Sequence, residues 1–196
     1  MLHALPHART FLMLRNTSQR YGAVSRALHW LGALGVIAAL IFIEAKGIFP
    51  KGTPLRDSVK YAHIQAGLLV LLLLFPRLIW RTGNPSPAIT PQPGRLATLA
   101  AKAGHWLLYA LMLALPLLGI AFIQAAGKNI DFFGFPLPLL LPPMPDISHD
   151  LKEAHEWLGN ALMWLAILHA AAALWHHFIV KDNTLTRLIG PLRVSK

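Results

Sequence analysis

Histidine carries the first chemical signal in this sequence. The chain holds ten of them, more than its eight acids together, and no cysteine. Without thiols there are no disulfides, thiolate metal sites, iron–sulfur clusters or CxxCH haem attachments. Metal or redox chemistry therefore has to run through imidazole. His29, His63, His105, His155, His169 and His176 lie within or at the edges of strongly apolar stretches. Ionisable side chains in such places are rare and mark function by default. Coordination also gives a neutral imidazole nitrogen the partner that lipid withholds. His3, His7 and His149 sit in tails or loops and carry no such signal.

Spacing sharpens the reading. His155 and His169 are fourteen residues apart, which on a helix is ~21 Å of rise and only about 40° of rotation. One helix face thus presents a ligand near each side of a membrane. His63 opens another apolar stretch at the depth of His155, and His29 opens a third at the depth of His169. Two stacked bis-histidine pairs follow, His63 with His155 and His29 with His169. Zinc or copper would draw its ligands to one depth. Two sites half a membrane apart suit haem and electron transfer better. Arg26, Lys60, Lys102 and Lys152 each stand three residues before a histidine, namely His29, His63, His105 and His155. Such pairs share a helix face one turn apart. The cation is always the more interfacial partner, where haem propionates need counter-charges. The plainer reading is that membrane interfaces are rich in Lys and Arg anyway.

The elements that position these residues read as four membrane-spanning helices. Of the 196 residues, 55% are hydrophobic and 13% charged, about half the charge of a soluble domain. Apolar spans cover about 27–46, 61–80, 103–124 and 157–180, each near the ~20 residues that cross a bilayer. Pro76 and Pro116 fall inside them, where a membrane helix tolerates a kink. Between the spans, Gly47–Arg56, Gly83–Gly94 and Gly127–Asp150 are rich in proline and glycine and read as loops. The last contains FFGFPLPLLLPPMP, too short and too broken by proline for a fifth span, and so placed against the bundle or in the headgroup layer. The fold class expected is all-α, an integral membrane four-helix bundle enclosing two haems. Residues 1–20 read as an N-terminal extension without packed structure, and 21–196 as one domain.

The net charge of +10 orients this bundle and needs no nucleic acid. The N-terminus, the loop between the second and third spans and the tail hold twelve Lys and Arg against one acid, Asp182. The other two loops hold six basic residues and seven acids. The positive-inside rule then places both termini in the cytoplasm.

The stretches RALHWL, YAHIQAG, GHWLLYALMLALPLLG and KEAHEWLGNALMWLAILHAAAALWHHFIVKDNTL, spread over Tyr21 to Leu188, resemble the bacterial dihaem cytochrome b561 family. The resemblance implies two non-covalent haem b groups in a bacterial inner membrane, one on His29 with His169 and one on His63 with His155. It also implies superoxide as donor on the outer side and ubiquinone as acceptor on the inner side. Arg26, Lys60 and Lys152 are then candidate propionate partners. His176, seven residues after His169 on nearly the same face, is a candidate quinone contact. His105 is a candidate contact to a propionate or the quinone. Lys51, Arg56 and Lys60 crowd the first outer loop and are candidates for steering a small anion, or else for binding propionates or lipid headgroups. An anchor subunit that relays electrons between quinone and a partner dehydrogenase or hydrogenase is the alternative. A non-redox transporter fits less well, because the spans lack acids and show no inverted repeat.

Overall fold

Four long helices make up most of the structure, a computed structural model that describes residues 13–189. They are α1 (Ala23–Ala45), α2 (Pro54–Thr82), α3 (Arg95–Ala125) and α4 (Pro145–Trp175). A π-helical turn, His176–Val180, continues α4, and a short α5 (Thr186–Ile189) follows. Between α3 and α4 lies a two-strand hairpin, β1 (Asp131–Phe132) against β2 (Phe135–Pro136). All four long helices are long and apolar enough to cross a membrane, and the protein is a multi-pass membrane bundle.

The helices outrun the apolar spans. The 31 residues of α3 rise ~46 Å, against a hydrocarbon core of ~30 Å. The extra turns lie at the N-terminal ends and carry charged residues, so segments that read as loop are helix from Pro54 and from Pro145 onward. Each of these prolines occupies the first turn, where its missing N–H costs nothing and its fixed φ suits the helix. Asp57 and Asp146 sit in the same first turns, favourably placed against the helix dipole.

α1 packs extensively on α2, and α3 on α4, while α2 and α3 share a smaller seam. Gly35 lets α1 and α2 close up, since a Cβ there would stand 2.9 Å from Val70 Cγ2. The main core joins Val36, Val70, Leu74, Met112, Leu115 and Leu162, and a smaller one joins Leu68, Ile120 and Ile130 at the other end. Only Leu162 of α4 is buried.

One end of the bundle is knitted by loop contacts. Asn16 Oδ1 accepts from Gly22 N and Ser25 Oγ, at 3.0 and 2.7 Å, and its Nδ2 donates to the carbonyls of Asn84 and Pro85. Gly22 is required there, because a Cβ would collide with the Leu14 and Arg15 carbonyls. Asn183 pairs with Thr90 through both backbone and side chain, and Arg187 Nη1 donates to the Pro87 carbonyl. Residues 13–20 of the N-terminal stretch thus meet the loop between α2 and α3. Residues 1–12 of that stretch, and the tail from 190 on, lie outside the described residues.

Candidate functional site

α4 supplies one histidine to each of two facing pairs. His155 faces His63 of α2 with ring centres 6.1 Å apart, and His169 faces His29 of α1 at 6.4 Å. Two imidazoles holding one metal ion from opposite sides, each nitrogen ~2.0 Å from it and each ring centre ~1.2 Å further, would have centres roughly 6.4 Å apart. Both pairs have that spacing. His105 of α3 approaches His169 at 5.2 Å with rings at 83°.

The pair His63 and His155 also has the donor chemistry a metal needs. His63 Nδ1 donates to the Ala39 carbonyl at 2.8 Å, and His155 Nδ1 donates to the Leu115 carbonyl at 2.9 Å. Each bond fixes the ring and its tautomer, leaving Nε2 as the free lone pair, as metal-ligating histidines usually arrange. Gly119 flanks His155, and a Cβ there would stand 3.4 Å from the ring's Cε1. The pair opens into a cavity of about 950 Å³ walled by all four helices, at the upper end of the roughly 300–1,000 Å³ typical of ligand and cofactor sites.

The pair His29 and His169 is wired differently. Arg77 Nη2 donates to His29 Nδ1 at 3.0 Å, since a guanidinium has no acceptor. The Arg77 guanidinium also lies over the Tyr109 ring, 5.2 Å from its centre, and Arg81 lies over the same ring at 5.7 Å. His105 Nδ1 bonds the Ala101 carbonyl. His176 is bound to Asp182, with Nδ1 to Oδ2 at 2.6 Å, while Asp182 Oδ1 accepts from Thr184 N at 2.8 Å. Burial alone would raise the Asp182 carboxyl, but the bonds from His176 and Thr184 outweigh it and hold it below the usual carboxylate range.

The cations divide by task. Lys60 lines the cavity together with Lys46, Arg56 and Lys128. Lys152 lines it too, but is paired with Glu156 at 2.7 Å. Arg56 donates from Nη1 to the carbonyls of Lys46 and Phe49, both at 2.7 Å, so it ties the first outer loop to the end of α1. Lys51 is exposed in that loop, beside rather than on the cavity wall. Arg26 reaches the Ile189 carbonyl at 3.5 Å.

Sequence reasoning missed Arg77, Arg81 and Tyr109. Arg77 has a readable signal, because it falls inside the span 61–80. Gln65 and Gln124 were missed too. Both are buried and brace the loop after α3. Gln65 binds Asp131 O and Phe133 N, and Gln124 binds Pro138 O, Leu140 N and Leu141 N. A lone Gln inside an apolar run is the signal for such a brace.

Comparison with known proteins agrees with this architecture. The family model described as prokaryotic cytochrome b561 matches residues 20–191. A protein of Escherichia coli named cytochrome b561 homolog 1 is 38% identical over 170 residues, covering 87% of this chain and 97% of its own length. A Yersinia pestis protein named probable superoxide oxidase CybB is 34% identical over 175 residues, covering 89% of this chain and 98% of its own. A Cereibacter sphaeroides protein named cytochrome b562 is 29% identical over 179 residues, covering 87% and 96%.

Proposed function

Because this chain belongs to the prokaryotic cytochrome b561 family of haem b-binding, electron-transferring membrane proteins, we propose that it carries electrons from superoxide at one membrane face to ubiquinone near the other. The observation that supports this most is the pair of facing histidine couples, with ring centres 6.1 and 6.4 Å apart. His63 and His155 hold one haem, and His29 and His169 the other. The haems supply reversible one-electron chemistry when bound.

The chain's own residues do the rest. The carbonyls of Ala39 and Leu115 keep the outer imidazoles in the tautomer that presents Nε2. At His29 the Arg77 bond occupies Nδ1, which in a neutral ring leaves the proton on Nε2. Holding a metal through Nε2 would need the proton on Nδ1, and Arg77 would then be free for an anionic partner. On the outer side, Lys46, Lys60 and Lys128 around the cavity mouth attract a small anion, while Arg56 holds the loop beside them. The Yersinia relative's name, probable superoxide oxidase, agrees with that anion being superoxide.

Superoxide can give up one electron and leave as dioxygen, consuming no proton. Quinone reduction to quinol takes two electrons and two protons, so hydrogen-bonding groups are needed on that side. His176, braced by Asp182, and His105 are the imidazoles available to the quinone oxygens, with Arg77 and Arg81 supplying positive charge nearby. The surplus of Lys and Arg at that end of the sequence supports a cytoplasmic location for it, with both termini, in a bacterial inner membrane. Mixing oxidised protein with superoxide should reduce the haems, and adding ubiquinone should reoxidise them, both followed by visible absorption. Haems that ignore superoxide but exchange electrons with quinone would overturn the donor assignment.

A further inference from the structure

The segment from Asn129 to Met144 combines apolar side chains that face outward with backbone N–H groups many of which are bonded within the protein. Asp131 is its only charged residue, and that carboxylate is engaged, accepting from Tyr61 Oη and Gly134 N, both at 2.7 Å. Pro136, Pro138, Pro142 and Pro143 have no N–H to satisfy. Phe133 N donates to Gln65 Oε1 at 2.8 Å. Leu137 N donates to Ile130 O, and Met144 N to Ala125 O, each at 2.8 Å. Leu140 and Leu141 both donate to Gln124 Oε1, at 2.9 and 3.2 Å. An irregular loop in water would leave such groups to solvent. Here buried glutamines meet them from inside the bundle.

The outward side chains point the other way in polarity. Phe133, Phe135, Leu139 and Leu140 are 62, 76, 63 and 61% exposed, while Ile130, Phe132 and Leu137 pack inward on the Leu68–Ile120 cluster. Phe133 and Gly134 form the hairpin tip with positive φ, 49° and 89°, a conformation that an aromatic residue rarely adopts. Apolar patches of this kind on an aqueous surface mark interaction sites. A soluble partner would be expected to meet some charge, and this face offers none. A bilayer favours bonded backbone and apolar side chains together, and the segment follows directly on α3, which is long and apolar enough to cross a membrane.

We propose that residues 130–144 form a wedge lying in the outer leaflet of the bilayer, with Phe133, Phe135, Leu139 and Leu140 among the acyl chains. Gln65 and Gln124 clamp it to α2 and α3. Its inner edge, Ile130, borders the apolar crevice that also touches His63 and His155. The wedge thereby makes the lateral wall of the outer histidine pair lipid and apolar protein, and confines aqueous access to the basic mouth. Neither the wedge nor its test depends on which donor the protein uses.

The cysteine-free chain permits a direct measurement. Phe135→Cys and Leu139→Cys would each be labelled with a nitroxide in the full-length holoprotein, reconstituted in phosphatidylethanolamine–phosphatidylglycerol vesicles. Power saturation then compares collisions with lipid-soluble oxygen and with a water-soluble nickel chelate. Labels at Leu34→Cys, on the exposed face of α1, and Lys51→Cys, in the first outer loop, give the lipid and water references. The wedge predicts an oxygen-to-nickel ratio at 135 and 139 shifted to the Leu34 side. A ratio like that at Lys51 would overturn it. Low collision with both agents would overturn it too, by showing the face covered by a second copy or another protein. If the change at Phe135 disturbs the hairpin, Leu139 lies outside the strands and decides alone.

Discussion

Gly119 offers the sharpest test of the outer site, because it touches a proposed ligand without being one. A Cβ at this position would lie 3.4 Å from His155 Cε1 and 3.7 Å from Nδ1, against a carbon–carbon optimum of about 3.5–4.0 Å. In Gly119→Ala the ring needs to yield only a few tenths of an ångström, and the cost is at the low end of the ~1–3 kcal/mol typical of overpacking. In Gly119→Val a γ-methyl extends about 1.5 Å further, and a helical Val has essentially one rotamer with which to avoid the ring. A ring pushed by ~1 Å loses the 2.9 Å bond to the Leu115 carbonyl, worth about 0.5–1.5 kcal/mol. It also leaves the ±0.2 Å tolerance of a metal bond far behind. The inner pair, ~21 Å along α4, should not notice. Haem per protein, measured as the pyridine haemochrome, should therefore be two for Gly119→Ala with a perturbed spectrum, and one for Gly119→Val. Gly35→Ala supplies the contrast, since its Cβ would press on Val70 at 2.9 Å; it should lower thermal stability by ~1–3 kcal/mol without changing haem stoichiometry in the folded fraction. A Gly119→Val protein with two haems and an unperturbed spectrum would refute the placement of His155.

Other substitutions separate the remaining roles. His155→Ala or His63→Ala should each cost the outer haem, His29→Ala or His169→Ala the inner one, and His105→Ala neither, by the same stoichiometry. The rate of haem reduction by superoxide should fall as the Debye length shrinks from ~8 Å at 0.15 M salt to ~3 Å at 1 M. Lys60→Gln should lower and flatten that dependence, Lys51→Gln should do so less, and Arg56→Gln should also loosen the loop it ties. Asp182, held low in the folded protein, contributes stability that is full above the unfolded carboxylate value of ~3.9 and lost as pH falls through its lower folded value. Asp182→Asn should speed exchange of the Thr184 amide by the ~10-fold or more that corresponds to ~1.5–3 kcal/mol, and remove the pH dependence of that amide's protection, relative to its intrinsic exchange rate, in that window. Unchanged exchange in the variant would leave Asp182 without an anchoring role.

The histidine pairing was legible because helical periodicity is rigid. Fourteen residues fix both depth and direction, and the structure brings together His63 with His155 and His29 with His169. The family was legible for a related reason, since its long C-terminal stretch carries both spacing and identity. Helix ends were less legible. Pro54 and Pro145 read as loop residues by composition, and only the chain on either side decides that they open helices. Tertiary bonds were not legible at all. Nothing local to Arg77 says that it meets His29 across 48 residues, or that Arg56 turns back to the Lys46 and Phe49 carbonyls. Those partners are set by how the helices cross, which periodicity alone does not determine.

The way the helices pair has a consequence for how the protein is made. α1 and α2 form one hairpin and α3 and α4 another, joined by the smaller seam between α2 and α3. Both histidine couples cross from the first hairpin to α4 of the second. On the proposed ligation each haem is a bolt through the two halves, and its binding energy becomes assembly energy. During synthesis the first hairpin would enter the bilayer whole, and the second would wait beside it until iron porphyrin arrives. A cell short of haem would then hold loosely joined halves exposed to membrane proteases, so the abundance of this protein would follow haem supply even at constant transcription.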